Sequence, residues 1–141
     1  MRIMAIDYGD ARTGVAISDP TGLLAGFTTV INAYRPDRVT EQIALLAKEH
    51  GVERLVLGHP INMDGTRGPR SEKAQAMRQL LEETTGLPVV LWDERRTTID
   101  AHQILMSSGK NAKKRKKVVD AVAASLILEG YLTYLKTHPE G

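Results

Sequence analysis

The chain of 141 residues contains no cysteine, which excludes a disulfide framework and any thiolate metal site. No apolar run approaches the ~20 residues of a membrane-spanning helix, so no membrane partner is expected. A net charge of only +2 points away from a general counter-charge and towards a local contact with a polyanion. The segment Met1-Arg-Ile-Met-Ala-Ile-Asp7 meets a carboxylate too soon to serve as a secretory signal. It reads as the first strand of the mature fold, and a cytoplasmic location is the default expectation.

Several chemistries are missing as well. The histidines at 50, 59, 102 and 138 show no metal-ligand spacing. Ser18 and Ser71 have no evident partner base, which argues against a nucleophilic triad. The stretch Gly9 to Gly14 (GDARTG) lacks the Gly-Lys-Ser/Thr of a Walker loop. A dinucleotide loop must open a helix, whereas Val15-Ala16-Ile17-Ser18 reads as strand. The turn can still bring Gly9 and Arg12 close to a phosphate backbone.

What remains is an ordinary folded composition, 42% hydrophobic and 26% charged, of a size that suits one domain over residues 1–141. Residues 2–7 and 13–18 alternate as strands across a turn too short for a parallel crossover, so they form an antiparallel hairpin. Phe27 to Ile31 (FTTVI) is a third, β-branched strand. From Asp37 to His50 the apolar residues Val39, Ile43, Leu46 and Ala47 follow a helical stripe, with Gly51 as its cap. A fourth strand covers 53–57 and ends at Gly58, and the Pro- and Gly-rich segment from His59 to Pro69 reads as loop. Ser71 is expected to begin a helix to about Thr85, with Ala74, Met77, Leu80 and Leu81 on one face. A fifth strand, Val89 to Trp92, precedes a helix from Thr97 or Thr98 to Met106. A basic loop follows, and Val118 to Tyr134 is the last helix. The order βββαβαβαα implies an α/β fold, a five-stranded mixed sheet whose first three strands are antiparallel, flanked by helices.

Three acids stand out against this frame. Asp7 ends the first strand and Glu94 follows the fifth, so a shared edge of strand C-termini brings them together across 87 positions of sequence. Asp120 lies in the first turn of the last helix among small apolar residues, where a carboxylate is costly without a positive partner. The bland alternative is that Asp120 merely complements the helix dipole. Three converging carboxylates demand a cation, and all-oxygen donors favour Mg²⁺ or Mn²⁺ over Zn²⁺. The basic residues are equally uneven. Lys110 to Lys117 (KNAKKRKK) holds six cations in eight residues, as a local polyanion contact or a solvated loop would.

Four segments resemble the YqgF family, also called RuvX: Ile6-Asp7-Tyr8-Gly9 leading to Arg12-Thr13-Gly14-Val15-Ala16-Ile17-Ser18-Asp19; Gly58 to Gly65 (GHPINMDG); Asp93-Glu94-Arg95-Arg96-Thr97-Thr98; and Val119-Asp120-Ala121-Val122-Ala123-Ala124. Members are described as Holliday junction resolvases or as nucleases that mature the precursor of small-subunit ribosomal RNA. The resemblance implies a ribonuclease H-like fold and a metal-holding catalytic trio of Asp7, Glu94 and Asp120, working with two divalent ions. Arg12, Arg67, Arg70, Lys113, Lys114, Arg115, Lys116 and Lys117 are expected to contact phosphates of an RNA precursor or of branched DNA. A DNA resolvase would act as a homodimer, whereas an RNA-processing enzyme need not, and a non-catalytic RNA-binding protein of the same fold is the alternative from another class. The chain departs from the family pattern at Ala11, where a basic residue is usual, and at His59, where Gly-Leu-Pro is usual.

Overall fold

The computed structural model describes residues 1–9, 11–19, 25–59, 68–93 and 112–138, the side chains of 69, 70 and 112–120 excepted. They form β1 (Ile3–Asp7), β2 (Arg12–Ser18), β3 (Ala25–Asn32), α1 (Pro36–His50), β4 (Arg54–His59), α2 (Pro69–Thr85), β5 (Val89–Asp93) and α3 (Ala112–Thr137). The five strands lie in one sheet, ordered β3-β2-β1-β4-β5. Pairing is antiparallel for β1/β2 and β2/β3 and parallel for β1/β4 and β4/β5. The expected mixed sheet is therefore present, with the hairpin half on one side of β1 and the βα half on the other. The helix expected between Thr97 and Met106 lies outside the described residues.

Strand alternation divides the core into two layers. Met4 and Ile6 of β1, Val15 and Ile17 of β2, and Leu55 and Leu57 of β4 pack against Val39 and Ile43 of α1 and Ala74, Met77 and Leu81 of α2. On the other face Ile3, Ala5, Ala16 and Val56 pack against Ala124, Ile127, Leu128, Tyr131 and Leu132 of α3. Each large side chain buried this way contributes about 1.5–3 kcal/mol. The α3 layer also carries a polar anchor, because Arg54 Nη1 donates 2.7 Å to the Tyr131 hydroxyl. Among the described residues no helix is long and apolar enough to cross a membrane.

Element ends follow local chemistry, and two helix starts and one strand end differ from expectation. Gly51 and Gly86 close α1 and α2 in the left-handed region, at φ 64° and 69°, as glycine allows. Ser71 does not cap α2: Gly68 does, with Pro69 at the first helical position, where a missing N–H costs nothing. The last helix begins at Ala112, six residues before Val118, so residues 112–117 of the basic run are helical instead of a loop. Ala, Lys and Arg are all strong helix formers and no breaker separates them from Val118. Finally, β4 runs through Gly58 to His59, because both pair with Trp92 and Asp93 of β5.

Candidate active site

Because β1, β4 and β5 are parallel, their last residues, Asp7, His59 and Asp93, gather on one edge of the sheet. Alternation sends them to different faces. Asp7 shares the parity of Ile3 and Ala5 and so lies on the α3 side. His59 and Asp93 share the parity of Leu55, Leu57 and Val89 and lie on the side of α1 and α2. Asp7 is half-buried on the middle strand of the sheet, and its register partner across β2 is Gly14. No side chain at that position crowds the carboxylate. Strand β4 intervenes between β1 and β5, so their ends stand roughly 10 Å apart, two strand spacings. Glu94 follows Asp93 directly but is itself outside the described residues, as is the side chain of Asp120; the backbone of residue 120 lies in α3.

The turn after Asp7 depends on Gly9. A Cβ there would overlap the carbonyl oxygen of Arg12, so only glycine lets the chain return this tightly. That return sets half-buried Arg12 as the first residue of β2, across from Asn32 of β3. Arg67 lies outside the described residues. Arg70 sits in the first turn of α2, and Lys113, Lys114, Arg115, Lys116 and Lys117 occupy the first two turns of α3, their side chains not described. Among the described residues no group of three His, Cys, Asp or Glu side chains could hold a metal ion; of the trio, only the Asp7 side chain falls within that set.

One pairing runs against the sequence reading. Ser71 does have a basic partner: His59 Nε2 and Ser71 Oγ are 2.6 Å apart. With Ser71 0% and His59 6% exposed, the hydroxyl is closed to substrate. The pair is a buried brace between the end of β4 and the first turn of α2. A signal for it existed, since Ser71 stands three residues before Ala74 and extends the inward stripe through Met77 and Leu81. His59 completes the strand LVLGH in the same way. The leucine usual at this position in the resembled family has no hydrogen bond to offer, so a hydroxyl at residue 71 suits this chain's histidine.

Comparison with known proteins adds the following. The family model described as "RuvX: Holliday junction resolvase" matches residues 1–134. A protein of Halothermothrix orenii, named "Putative pre-16S rRNA nuclease", is 46% identical over 134 residues, covering 95% of this chain and 96% of that protein. The Bacillus subtilis protein of the same name is 44% identical over 137 residues, with 96% and 99% covered. Among solved structures, RuvC of T. thermophilus in complex with a Holliday junction substrate superposes with a TM-score of 0.62 at 15% identity, over 97% of both chains. At that identity the likeness concerns the fold, which is ribonuclease H-like as expected.

Proposed function

The chain belongs to the RuvX family, and from that premise we propose that it is a divalent-metal-dependent endonuclease hydrolysing phosphodiester bonds of nucleic acid. The observation that carries this reading is the half-buried carboxylate of Asp7 at the end of the middle strand, on the face covered by α3. The other two acids have matching positions in the sequence. Glu94 directly follows Asp93, the last residue of β5. Position 120 stands four residues before Ala124 and seven before Ile127, both on the sheet-facing stripe of α3. Tyr131 is tied to Arg54, the first residue of β4, and position 120 is eleven residues earlier, roughly 16 Å along the helix. That distance is comparable to a strand's length, which supports a position for residue 120 near the edge occupied by Asp7.

Asp7, Glu94 and Asp120 would hold Mg²⁺ or Mn²⁺, since oxygen-only donors suit hard cations and three carboxylates repel one another without one. Bound there, such ions supply charge stabilisation to the attacking and leaving oxygens of a phosphodiester. The chain's own residues grip the strand. Arg12 lies one tight turn from Asp7, and Arg67 and Arg70 lie in and after the β4–α2 connection. Lys113, Lys114, Arg115, Lys116 and Lys117 lie at the positive end of the α3 dipole, with no acid in its first turn. Cations there oppose the macrodipole, a cost that a bound polyanion relieves. Contacts of this type fix position without reading bases, which supports structure-selective cleavage.

The names of the relatives favour an RNA precursor, the end of pre-16S ribosomal RNA, whereas the family description favours branched DNA. We take RNA processing as the first reading, because full-length relatives at 44–46% identity carry that name. Incubating one preparation with a four-way DNA junction and with a precursor ribosomal RNA, in Mn²⁺ or Mg²⁺, decides between them. Cleavage of the RNA alone is expected, and Asp7→Asn should abolish it. Cutting of the junction alone, accompanied by dimerisation in sedimentation, would transfer the assignment to DNA. Metal-dependent cleavage unchanged in a folded Asp7→Asn chain would remove the carboxylate assignment altogether.

A further inference from the structure

The chain has one Trp, one Phe and four Tyr, so where each ring lies is informative. Trp92, Tyr131 and Tyr134 pack against one another in the α3 layer, and Phe27 lies on His50. The remaining two, Tyr8 and Tyr34, line one groove of about 450 Å³, together with Pro36 of α1 and Lys73, Met77 and Leu80 of α2. Lys73 is the only charged residue in that described lining. Tyr34 is 80% exposed, an unusual setting for a large ring in a chain with so few.

The topology puts this groove at the catalytic edge. Tyr8 follows Asp7 at the end of β1, and Tyr34 lies two residues past Asn32, the end of β3. Both strands run antiparallel to β2, so their ends share one side of the molecule. Lys73 is in the second turn of α2, which follows β4. Asp7 faces the α3 layer, whereas Tyr8 packs with the α1 and α2 layer, so a strand with a phosphate at Asp7 reaches the groove by crossing the sheet edge.

We propose that the groove receives an unpaired base of the bound strand, across the sheet edge from the phosphate held at Asp7. Tyr34 stacks on the base, and Lys73 pairs with the phosphate beside it. Flat rings over an apolar lining with a single cation match a base and its phosphate, and do not match backbone phosphates alone. Only an unpaired base offers its face, because in a duplex that face is covered by the stack. Single-stranded character where the strand crosses the sheet edge thus becomes a requirement of the substrate. The location relative to the cut rests on the nuclease reading; the existence of the base site does not.

The test is fluorescence anisotropy of the full chain with a labelled single-stranded oligo(A) RNA, with divalent ions chelated. Tyr34 is exposed, so Tyr34→Ala should fold normally. It is expected to weaken binding by about tenfold or more, and Tyr34→Phe, which keeps the ring, by no more than about twofold. Leu45→Ala, which removes an apolar side chain 62% exposed on α1 and outside this lining, should bind like the wild type. Against an oligomer of abasic ribose phosphate, Tyr34→Ala and wild type should be equal. Unchanged oligo(A) binding by Tyr34→Ala overturns the proposal, as does an equal loss on the abasic oligomer. A wild-type chain that cleaves no phosphodiester yet binds oligo(A) through Tyr34 keeps the base site and discards the nuclease reading.

Discussion

Replacing Ser71 by alanine removes one half of a buried contact whose other half cannot leave. His59 Nε2 lies 2.6 Å from the Ser71 hydroxyl, and both residues are buried. After Ser71→Ala the imidazole nitrogen loses this partner in a dry layer, at a cost of about 1–3 kcal/mol. His59→Leu, which restores the side chain usual in the resembled family, strands the hydroxyl instead and costs a similar amount. The double variant His59→Leu/Ser71→Ala leaves neither side of this contact stranded, so its loss should be smaller than the two single losses combined. Urea denaturation of the four chains closes the cycle. The expected result is a double variant more stable than the sum of the single losses by at least about 1 kcal/mol, since residues in contact couple by 0.5–3 kcal/mol. In thermal melts each single variant should lose roughly 2–12 °C, given about 2–4 °C per kcal/mol for a chain of this size. Additivity within about 0.5 kcal/mol would mean that the brace contributes nothing as a pair.

Other consequences can be measured on the same footing. Tyr131→Phe deletes the hydroxyl that accepts from Arg54, and should cost about 1 kcal/mol in urea without changing the denaturant slope. Gly130→Val should cost about 1–3 kcal/mol by overpacking, because even a Cβ at Gly130 would sit 3.2 Å from Trp92 Cζ2. The single tryptophan reports that change directly through its emission. Exchanging Lys113, Lys114, Arg115, Lys116 and Lys117 for glutamine should lower the salt dependence of nucleic-acid binding, by up to roughly 3.5–4.5 in log–log slope. An unaltered slope would mean that the basic turns of α3 face solvent only.

The sheet was legible from the chain because its strands are short apolar runs bounded by turns, and because the β1–β2 connection is too short to be a crossover. The antiparallel half and the βα half both follow from that. What escaped lay at element ends, where charge and hydrogen bonding override hydropathy. Ser71 looks like a cap, yet Pro69 can open a helix at lower cost and leaves Ser71 on the buried stripe. The lysine run looks like a loop because it is charged, although its residues are good helix formers. His59 looks like the start of a loop, yet it pairs with Asp93 in the ladder. At the site, Asp7 was readable because an apolar strand ends abruptly in a carboxylate. The groove at Tyr8 and Tyr34 was not, because its walls come from the residue after β1, the β3–α1 connection with the start of α1, and α2, segments that only the folded chain brings together.

Asp7 is expected to work with Glu94 and Asp120 in holding a divalent cation at the sheet edge. Titrating Mn²⁺ into the purified chain by calorimetry tests it without any substrate. The wild type should bind, and Asp7→Asn and Asp120→Asn, each with an unchanged far-UV circular dichroism spectrum, should lose that binding. Mn²⁺ binding retained in both folded variants would contradict it.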